Sequence, residues 1–532
     1  MTSEVDPLAE QVLAHRAMRH PAWATQVGIR THDHELRDPS REAFEGEARE
    51  LDAFLAAAEQ LPESFDRDAL VTQLRLDLFE LRDSRIWARN PDVASDYFDH
   101  LFALLLAAHI SPRERSDALL ARLRGCEAFF SAAWSRFDPS VVPPLWVEGA
   151  QQSARGAEAF LDAVRGAVLA VPGLARDVES PLAAARAVLV THARWLEELH
   201  AKARGDVALG TEGFRRLLRL RHIGDSPEQL VVLGERLVGR FRREMEDAAG
   251  LVLAEAGKEP AHDVVGAALS LVRGDHPRTF AEVIQFYERS IVEAREFVRA
   301  KGLATVPDTP LDVVETPAFL RHLVPFAAYL GPARFATPRR GVYLVTPKME
   351  LSSFPNADTR NVTVHEAYPG HHLQLCVAAE KASLAAFLCE VPDLTEGWAL
   401  YCEALMGQHG YTAAPAERLI RARDARWRAV RIVLDVALHT GGMTPQEAAS
   451  RLVLETGMGV GEAEAEVLRY TLSPAYNLSY MWGRLQVERL RERALSSGLT
   501  ERAFHDTFLS LGSVSVALLA RELERRVDIR QD

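Results

Sequence analysis

The sequence predicts a mainly α-helical fold with a small β element, and three observations support this prediction. Stretches rich in Ala, Leu, Arg and Glu, with apolar residues at steps of three and four, fill residues 42–135 and 150–300. From residue 303 the chain instead carries three prolines within ATVPDTPLDVVETP and two short β-type runs. Helical periodicity then returns from about residue 360 and continues to the end.

The best-defined helix is predicted over residues 279–302, where Thr279 is placed to cap its start and Gly302 to end it. Strands are predicted at 311–315 and at GVYLVT, residues 341–346. These elements divide the chain into a helical N-terminal part, 1–302, and a second part, 303–532, which holds the short strands and the chemistry. The two parts are compatible with one compact body.

The composition excludes several classes of protein. Hydrophobic residues make up 48% and charged residues 26%, which is typical of a soluble globular chain. A net charge of −13 argues against nucleic-acid binding. The sequence shows neither a long apolar run nor a secretory leader. We therefore expect a cytoplasmic protein with no nucleic-acid or membrane partner, and the oligomeric state stays open. The cysteines lack C-x-x-C spacing, which excludes a zinc ribbon; they are Cys126, Cys376, Cys389 and Cys402.

The most informative stretch is TVHEAYPGHHLQ, residues 363–374, followed by LTEGWALYCE, residues 394–403. The first carries the pair His365 and Glu366, and the second carries Glu396. Two neutral imidazoles and one carboxylate hold many catalytic zinc ions and leave one position open for water. A glutamate beside the first histidine takes a proton from that water. The pattern predicts a His₂Glu zinc site with Glu366 as the general base.

The second ligand histidine cannot lie four residues after His365, because that position is Pro369. Proline has no N–H to continue the helix, and the following Gly370 tolerates conformations forbidden to other residues. On an unbroken helix His371 would lie about 120° around the axis from His365, and His372 would lie about 10 Å further along. We therefore predict a break directly before Pro369, with either His371 or His372 as the second ligand.

The helix predicted around Glu396 is apolar and aromatic, with Trp398, Leu400 and Tyr401 close by. A carboxylate on such a helix needs a partner if it points inward. Glu403 lies on the same helix face as Glu396, and we expect it to orient one of the ligand histidines.

These two motifs together resemble the bacterial domain-of-unknown-function 885 family, DUF885. The family is identified as zincin-like, of gluzincin type, and similar in fold to helical oligopeptidases and thermostable carboxypeptidases. The resemblance implies a large helical zincin-like fold that binds zinc. In related zincins a glycine precedes the second zinc histidine, as Gly370 precedes His371, which favours His371. Further blocks extend the resemblance over most of the chain: HPAWATQVGIRTHDHEL (20–36), ETPAFLRHLVPFAAYLGP (315–332), RIVLDVALHTGGMTPQEA (431–448) and SPAYNLSYMWGRLQ (473–486).

Amide hydrolysis at a zinc ion needs a donor for the charge that develops on the carbonyl oxygen. The candidates are Tyr476, Tyr480 and His439. Tyr480 and Gly483 form a Y-x-x-G element that resembles the C-terminal block of helical zincins, where a tyrosine faces the zinc. Asp435 lies four residues before His439 and is placed to orient its imidazole.

Substrate contacts are predicted at two places. Arg484 and Arg469 are the preferred arginines for binding a terminal carboxylate through two hydrogen bonds. The strand 341–346, which includes Tyr343, is expected to be a sheet edge that pairs with an extended substrate. A purely structural hairpin is the alternative for this strand.

Together these features predict a zinc-dependent hydrolase, most simply a metallopeptidase that cleaves short peptides. One alternative is a zinc amidohydrolase that acts on a small non-peptide amide in a dedicated pathway. Another is a catalytically inactive helical binding scaffold. The intact set of His365, Glu366 and Glu396 argues against the scaffold, because the loss of one of them is the usual mark of a decayed site.

Overall fold

The computed structural model describes residues 4–259, 262–316, 321 and 327–527. Part of the block at 315–332 therefore lies outside the described residues. The predicted combination of a mainly helical protein with a small sheet is confirmed. In the described part of the chain, no helix combines the length and the apolar character needed to cross a membrane.

The described residues form two compact units, and the first contains the chain up to residue 207 together with residues 333–339. Phenylalanines form much of its apolar core, in which the rings of Phe98 and Phe160 lie 4.6 Å apart. The buried Arg122 guanidinium donates to the backbone carbonyl of Glu35 at 2.9 Å, which attaches a loop to this core. The helices of the unit are α1 (Asp6–Arg19), α2 (Pro21–Val27), α3 (Arg41–Glu59), α4 (Phe65–Phe79), α5 (Ile86–Arg89), α6 (Val93–Leu106), α7 (Pro112–Arg124), α8 (Cys126–Trp134), α9 (Pro144–Leu169) and α10 (Ala175–Lys202).

The second unit holds the remaining helices and the sheet. Its helices are α11 (Thr211–Leu220), α12 (Pro227–Glu255), α13 (Val264–Gly274), α14 (Phe280–Lys301), α15 (Asn356–Glu366), α16 (His371–Lys381), α17 (Leu384–Leu388), α18 (Pro392–Gln408), α19 (Pro415–His439), α20 (Pro445–Thr456), α21 (Val460–Leu472), α22 (Ser479–Ser496), α23 (Glu501–Ser510) and α24 (Val516–Val527).

Helix α14 has the predicted ends. The Thr279 side chain accepts from the backbone N–H of Glu282, and Gly302 adopts a left-handed conformation at the other end. The change at residue 303 from helical periodicity to prolines and short β-type runs falls inside the second unit. It therefore marks the end of a long helix, whereas the division between the units comes after residue 207.

Helices α18 and α22 cross at a pair of glycines, Gly397 and Gly483. A Cβ atom added to Gly397 would lie 2.6 Å from the backbone carbon of Gly483. A Cβ atom added to Gly483 would lie 2.0 Å from the carbonyl oxygen of Asp393. Because no side chain fits between them, the two backbones are in direct contact, and Glu396 is held beside the start of α22.

The three-stranded sheet has the order β1 (Leu311–Glu315), β3 (Gly341–Val345), β2 (Ala327–Leu330). Strand β3 pairs in parallel with β1 and antiparallel with β2. The prediction that this strand is an edge is therefore wrong, because hydrogen bonds occupy both of its sides. Tyr343 is fully buried, and its ring packs edge-on against that of Tyr287 with the centroids 5.3 Å apart. It is therefore a core residue, which corrects its predicted contact with substrate.

Candidate metal centre

The chain doubles back between α15 and α16. Helix α15 ends at Glu366, before the expected break at Pro369, and α16 begins at His371. The backbone N–H of Gly370 donates to the carbonyl of Val364 at 3.1 Å. A Cβ atom at Gly370 would lie 1.8 Å from the carbonyl oxygen of His365. The glycine is therefore needed for a close backbone approach, which a side chain of any size would prevent.

This turn brings His365 and His371 together. Their ring centroids are 4.8 Å apart, and the two planes are nearly perpendicular at 87°. Glu396, on α18, places Oε2 at 3.9 Å from His365 Nε2 and at 3.7 Å from His371 Nε2. Within the described ranges these three side chains form a group whose ligand atoms all lie within 4.8 Å of one another. They are His365, Glu396 and His371, the one of the two adjacent histidines that the family resemblance favoured.

His372 points elsewhere, although it is adjacent to His371. Its Nδ1 lies 2.9 Å from the Tyr329 hydroxyl on β2, and its Nε2 lies 3.1 Å from the Thr309 carbonyl. The side chain is fully buried, and burial lowers the pKa of His372 to about 4. Both nitrogens are engaged, so His372 links α16 to the sheet and lies outside the group of ligand atoms.

Two further side chains fix the orientation of the cluster. Glu403 Oε1 lies 2.7 Å from His365 Nδ1, which is the contact expected from its position on the Glu396 face of the helix. The Tyr476 hydroxyl donates to Glu396 Oε1 at 2.6 Å. These hydrogen bonds use the outer nitrogen of His365 and the outer oxygen of Glu396. The inner atoms, Nε2 and Oε2, therefore face each other across the centre of the cluster.

The charges of the cluster stabilise one another. Burial alone would lower the pKa of His371, but the Glu396 carboxylate and the Glu366 charge raise it to about 9. Burial would raise the pKa of Glu396, but contact with His371, the charge of His365 and the Tyr476 hydroxyl lower it to about 2. The carboxylate is thus strongly stabilised as an anion by the positive charge around it.

The loop that carries Tyr476 is held from two sides. Asp435 accepts hydrogen bonds from the backbone N–H groups of Ala475 at 2.9 Å and Leu478 at 3.0 Å. The buried Arg221 donates to the carbonyl of Ala475, which has a positive φ of 60°. Arg221 was not identified from the sequence, and Asp435 was paired there with His439, whose Nε2 does lie 3.7 Å from Asp435. The contacts that hold the loop join residues far apart in the chain, so no local sequence pattern predicts them.

Tyr480 lies four residues after Tyr476 in the chain, and the two rings are edge-on with their centroids 5.9 Å apart. Burial and the Glu396 charge raise the pKa of the Tyr480 hydroxyl to about 12. The Arg431 guanidinium lies 4.9 Å from the Tyr480 ring. Glu366 is half-buried at the end of α15, next to His365 in the chain.

The structure places three predicted residues outside the cluster. His439 is buried; its Nε2 lies 3.0 Å from the Tyr470 carbonyl and 3.7 Å from Asp435, and its ring stacks on Phe214. These contacts describe a core histidine, which corrects the predicted role in charge stabilisation. Arg469 pairs with Glu466 at 2.7 Å, and Arg484 pairs with Glu488 at 2.8 Å.

Comparison with known proteins identifies the family. The model of the family described as "Bacterial protein of unknown function (DUF885)" matches residues 21–523. The chain belongs to this family. A search of the curated proteins gives no match.

Two solved structures of "putative lipoproteins" share the fold of this DUF885 protein. One, of unknown function, is from Shewanella oneidensis: it has 22% identity and a TM-score of 0.78, over 98% of this chain and 100% of that chain. The other is from Colwellia psychrerythraea, with 20% identity and a TM-score of 0.86 over 99% of both chains. At this level of identity the likeness concerns the fold alone.

Proposed function

We propose that this DUF885 protein is a zincin-like, zinc-dependent hydrolase that cleaves short peptides or small amides. The observation that carries the proposal is the meeting of His365 Nε2, His371 Nε2 and Glu396 Oε2 within 4.8 Å of one another. Tetrahedral zinc with ligands at 2.0–2.2 Å holds them about 3.3–3.6 Å apart. The contacts of 3.7 and 3.9 Å in the cluster need a small contraction to reach that geometry, and the widest separation, within 4.8 Å, needs a larger one.

The donor set fits zinc in its chemistry as well. Two imidazoles and one carboxylate are the protein ligands of catalytic zinc sites that keep a position for water, whereas structural sites use four protein ligands. A zinc ion held by His365, His371 and Glu396 would supply Lewis-acid activation of that water. Glu403 and Tyr476 support the same assignment, because hydrogen bonds to the outer atoms of metal ligands set their orientation.

The residues around the cluster take separate roles in this proposal. Glu366 accepts the proton of the attacking water and returns it to the leaving amine. Tyr480 donates a hydrogen bond to the developing charge, since a hydroxyl with a pKa of about 12 stays protonated at neutral pH. Tyr476 already donates to Glu396, so it positions the ligand carboxylate.

The first test compares the zinc content and the turnover of wild type and Glu366→Gln. We expect about one zinc per chain in both proteins by elemental analysis. Turnover in the variant should fall by about 10²–10⁴-fold, because the proton acceptor is removed while the ligands stay in place. Unchanged turnover in Glu366→Gln would exclude the proposed base.

The adjacent histidines provide a matched pair for metal binding. His371→Gln should lose zinc, whereas His372→Gln should keep it and show only lower thermal stability, since His372 contacts Tyr329 and Thr309. The absence of stoichiometric zinc in wild type would remove the metal site from the proposal.

The substrate class is tested with a panel of short peptides and acylated amines. Cleavage of peptides alone assigns peptidase activity, and cleavage of acylated amines alone assigns amidohydrolase activity. A zinc-loaded protein that hydrolyses neither class contradicts the proposed reaction.

A further inference from the structure

A cavity in the second unit lies among α12, α18, α19 and α22. It has a volume of about 420 Å³ and shares four lining residues with an adjoining cavity of about 230 Å³. None of the described residues that line either cavity belongs to the His365 cluster. The shared residues are Glu244, Arg418, Arg421 and Arg484. We call the combined space the arginine cavity.

The lining of the arginine cavity has an excess of positive charge. Four guanidinium groups contribute to it, against the carboxylates of Glu244 and Asp247; the arginines are Arg240, Arg418, Arg421 and Arg484. The chain as a whole carries a net charge of −13, so this concentration of cations is local. A cavity lined mostly by one sign of charge raises the local concentration of small ions of the opposite sign.

The arginines differ in how their charge is balanced. Arg240 pairs with Glu244 at 2.8 Å, and Arg484 pairs with Glu488 at 2.8 Å. Arg421 donates instead to neutral acceptors, the carbonyl oxygen of Thr412 at 2.7 Å and its hydroxyl at 3.1 Å. These hydrogen bonds do not neutralise the charge of Arg421, on which the carboxylates of Glu403 and Glu417 act electrostatically.

The cavity wall places two of these guanidinium groups in defined positions. Arg484 is only 7% exposed and lies over the Phe241 ring at 5.8 Å. Arg421 lies against α18 at Gly407, where an added Cβ atom would be 2.6 Å from its Cζ. Burial lowers the pKa of Arg421, so an anionic partner would favour its charged form. Arginines held in this way lose little conformational freedom when they bind a ligand.

We propose that the arginine cavity binds a small anion that carries carboxylate or phosphate groups, held by Arg418, Arg421 and Arg484. The planar guanidinium group matches both kinds of oxyanion through paired hydrogen bonds. A volume of about 420 Å³ lies in the range of small-molecule sites. The inference uses the second unit alone and is independent of the zinc proposal.

Isothermal titration calorimetry of the full chain tests the site with sodium phosphate and sodium succinate, at an ionic strength held constant with sodium chloride. We expect saturable binding of at least one anion with a stoichiometry of one. Phosphate alone would assign phosphate chemistry, and succinate alone would assign carboxylate chemistry. Arg421→Gln and Arg484→Gln should each weaken binding by about tenfold or more, because each removes a charge-assisted hydrogen bond.

Two further variants separate a binding role from a structural one. Arg418 is exposed, so Arg418→Gln should leave the folded structure intact, as judged by circular dichroism, and still weaken binding. Arg489→Gln, an exposed arginine on α22 that does not line the cavity, should bind like wild type. No saturable binding of either anion below about 10 mM would overturn the proposal, as would wild-type affinity in Arg418→Gln and Arg484→Gln.

Discussion

His371 and His372 are neighbours in the chain, yet their surroundings give them opposite properties. His371 faces two carboxylates, Glu366 and Glu396, which raise its pKa to about 9. His372 is buried and bonded at both nitrogens to Tyr329 and Thr309, and its pKa falls to about 4. At the scale of a single residue, the neighbouring groups therefore decide the protonation of each imidazole, which is charged at neutral pH in His371 and neutral in His372.

Tyr476 and Tyr480 provide the sharpest test at this scale. In Tyr476→Phe the Glu396 carboxylate loses its donor at 2.6 Å, so zinc affinity should fall by about 10–100-fold. Tyr480→Phe should keep the affinity for zinc, while kcat falls by about 10²–10³-fold, because a donor to the developing charge is lost. Competition with a fluorescent chelator measures affinity, and steady-state kinetics measures kcat.

The two phenylalanine variants control for each other, since each removes one hydroxyl from neighbouring rings. Equal zinc affinity in Tyr476→Phe and wild type would show that Tyr476 does not position the ligand. If kcat in Tyr480→Phe equals that of wild type, Tyr480 is not the donor that stabilises the developing charge.

At the scale of elements, two close backbone approaches build the site, and each depends on glycine. Gly370 lets the chain return against the carbonyl of His365, and Gly397 lets α18 contact α22. The first approach is local, and the Pro–Gly step in the motif predicted it. The second joins Gly397 to Gly483, which is distant in the chain, so no spacing rule could reveal it.

Gly397→Ala should separate α18 from α22, because its Cβ atom would lie 2.6 Å from the backbone of Gly483. We expect a loss of about 1–3 kcal/mol in the free energy of unfolding, measured with urea. Zinc affinity should fall as well, since Glu396 lies next to this glycine and must reach Tyr476.

The matched control for this substitution is Gly250→Ala, in the last part of α12, where an added Cβ atom meets nothing within 4 Å. That variant should equal wild type in zinc affinity and gain about 0.5–1 kcal/mol in stability from helix propensity. If Gly397→Ala behaved like Gly250→Ala, the helix crossing would tolerate a methyl group and the argument for close contact would fail.

At the scale of the whole molecule, the buried His505 joins distant segments of the second unit. The Tyr401 hydroxyl on α18 lies 2.7 Å from His505 Nε2, and the Leu303 carbonyl lies 2.7 Å from Nδ1. Burial lowers the pKa of His505 to about 4, so the ring is neutral in the folded state at neutral pH.

This histidine makes stability depend on pH with a defined sign. Its folded-state pKa lies below the unfolded value of about 6.5, so the neutral ring stabilises the fold above pH 6.5. That contribution, about 3 kcal/mol at most, is lost as pH falls from 6.5 towards 4. Urea unfolding at several pH values should show a shallower acid decline in His505→Gln than in wild type.

His262→Gln is the control for the pH experiment, because His262 is exposed. It should keep the wild-type decline. Parallel declines in His505→Gln and wild type would show that His505 does not titrate as its burial indicates.

The local features of this fold could be predicted from the sequence, but few of its long-range contacts could. Helix α14 was predictable to its caps because Thr279 and Gly302 act through backbone groups close by in the chain. Strand β3 was recognisable, but its place in the sheet was not. Its second neighbour is AAYL, residues 327–330, which is too short and too weakly β-branched to be recognised as a strand.

Arg221 follows α11, and its guanidinium contacts two separate segments, one at Asp393 and the other at Ala475 and Ser479. Gene shuffling among distant relatives would often exchange such segments singly. A crossover between residues 221 and 393 would then leave one parent's arginine facing the other parent's carboxylate and loop. Chimeras that inherit all four positions from a single parent should be recovered folded far more often than those that mix them.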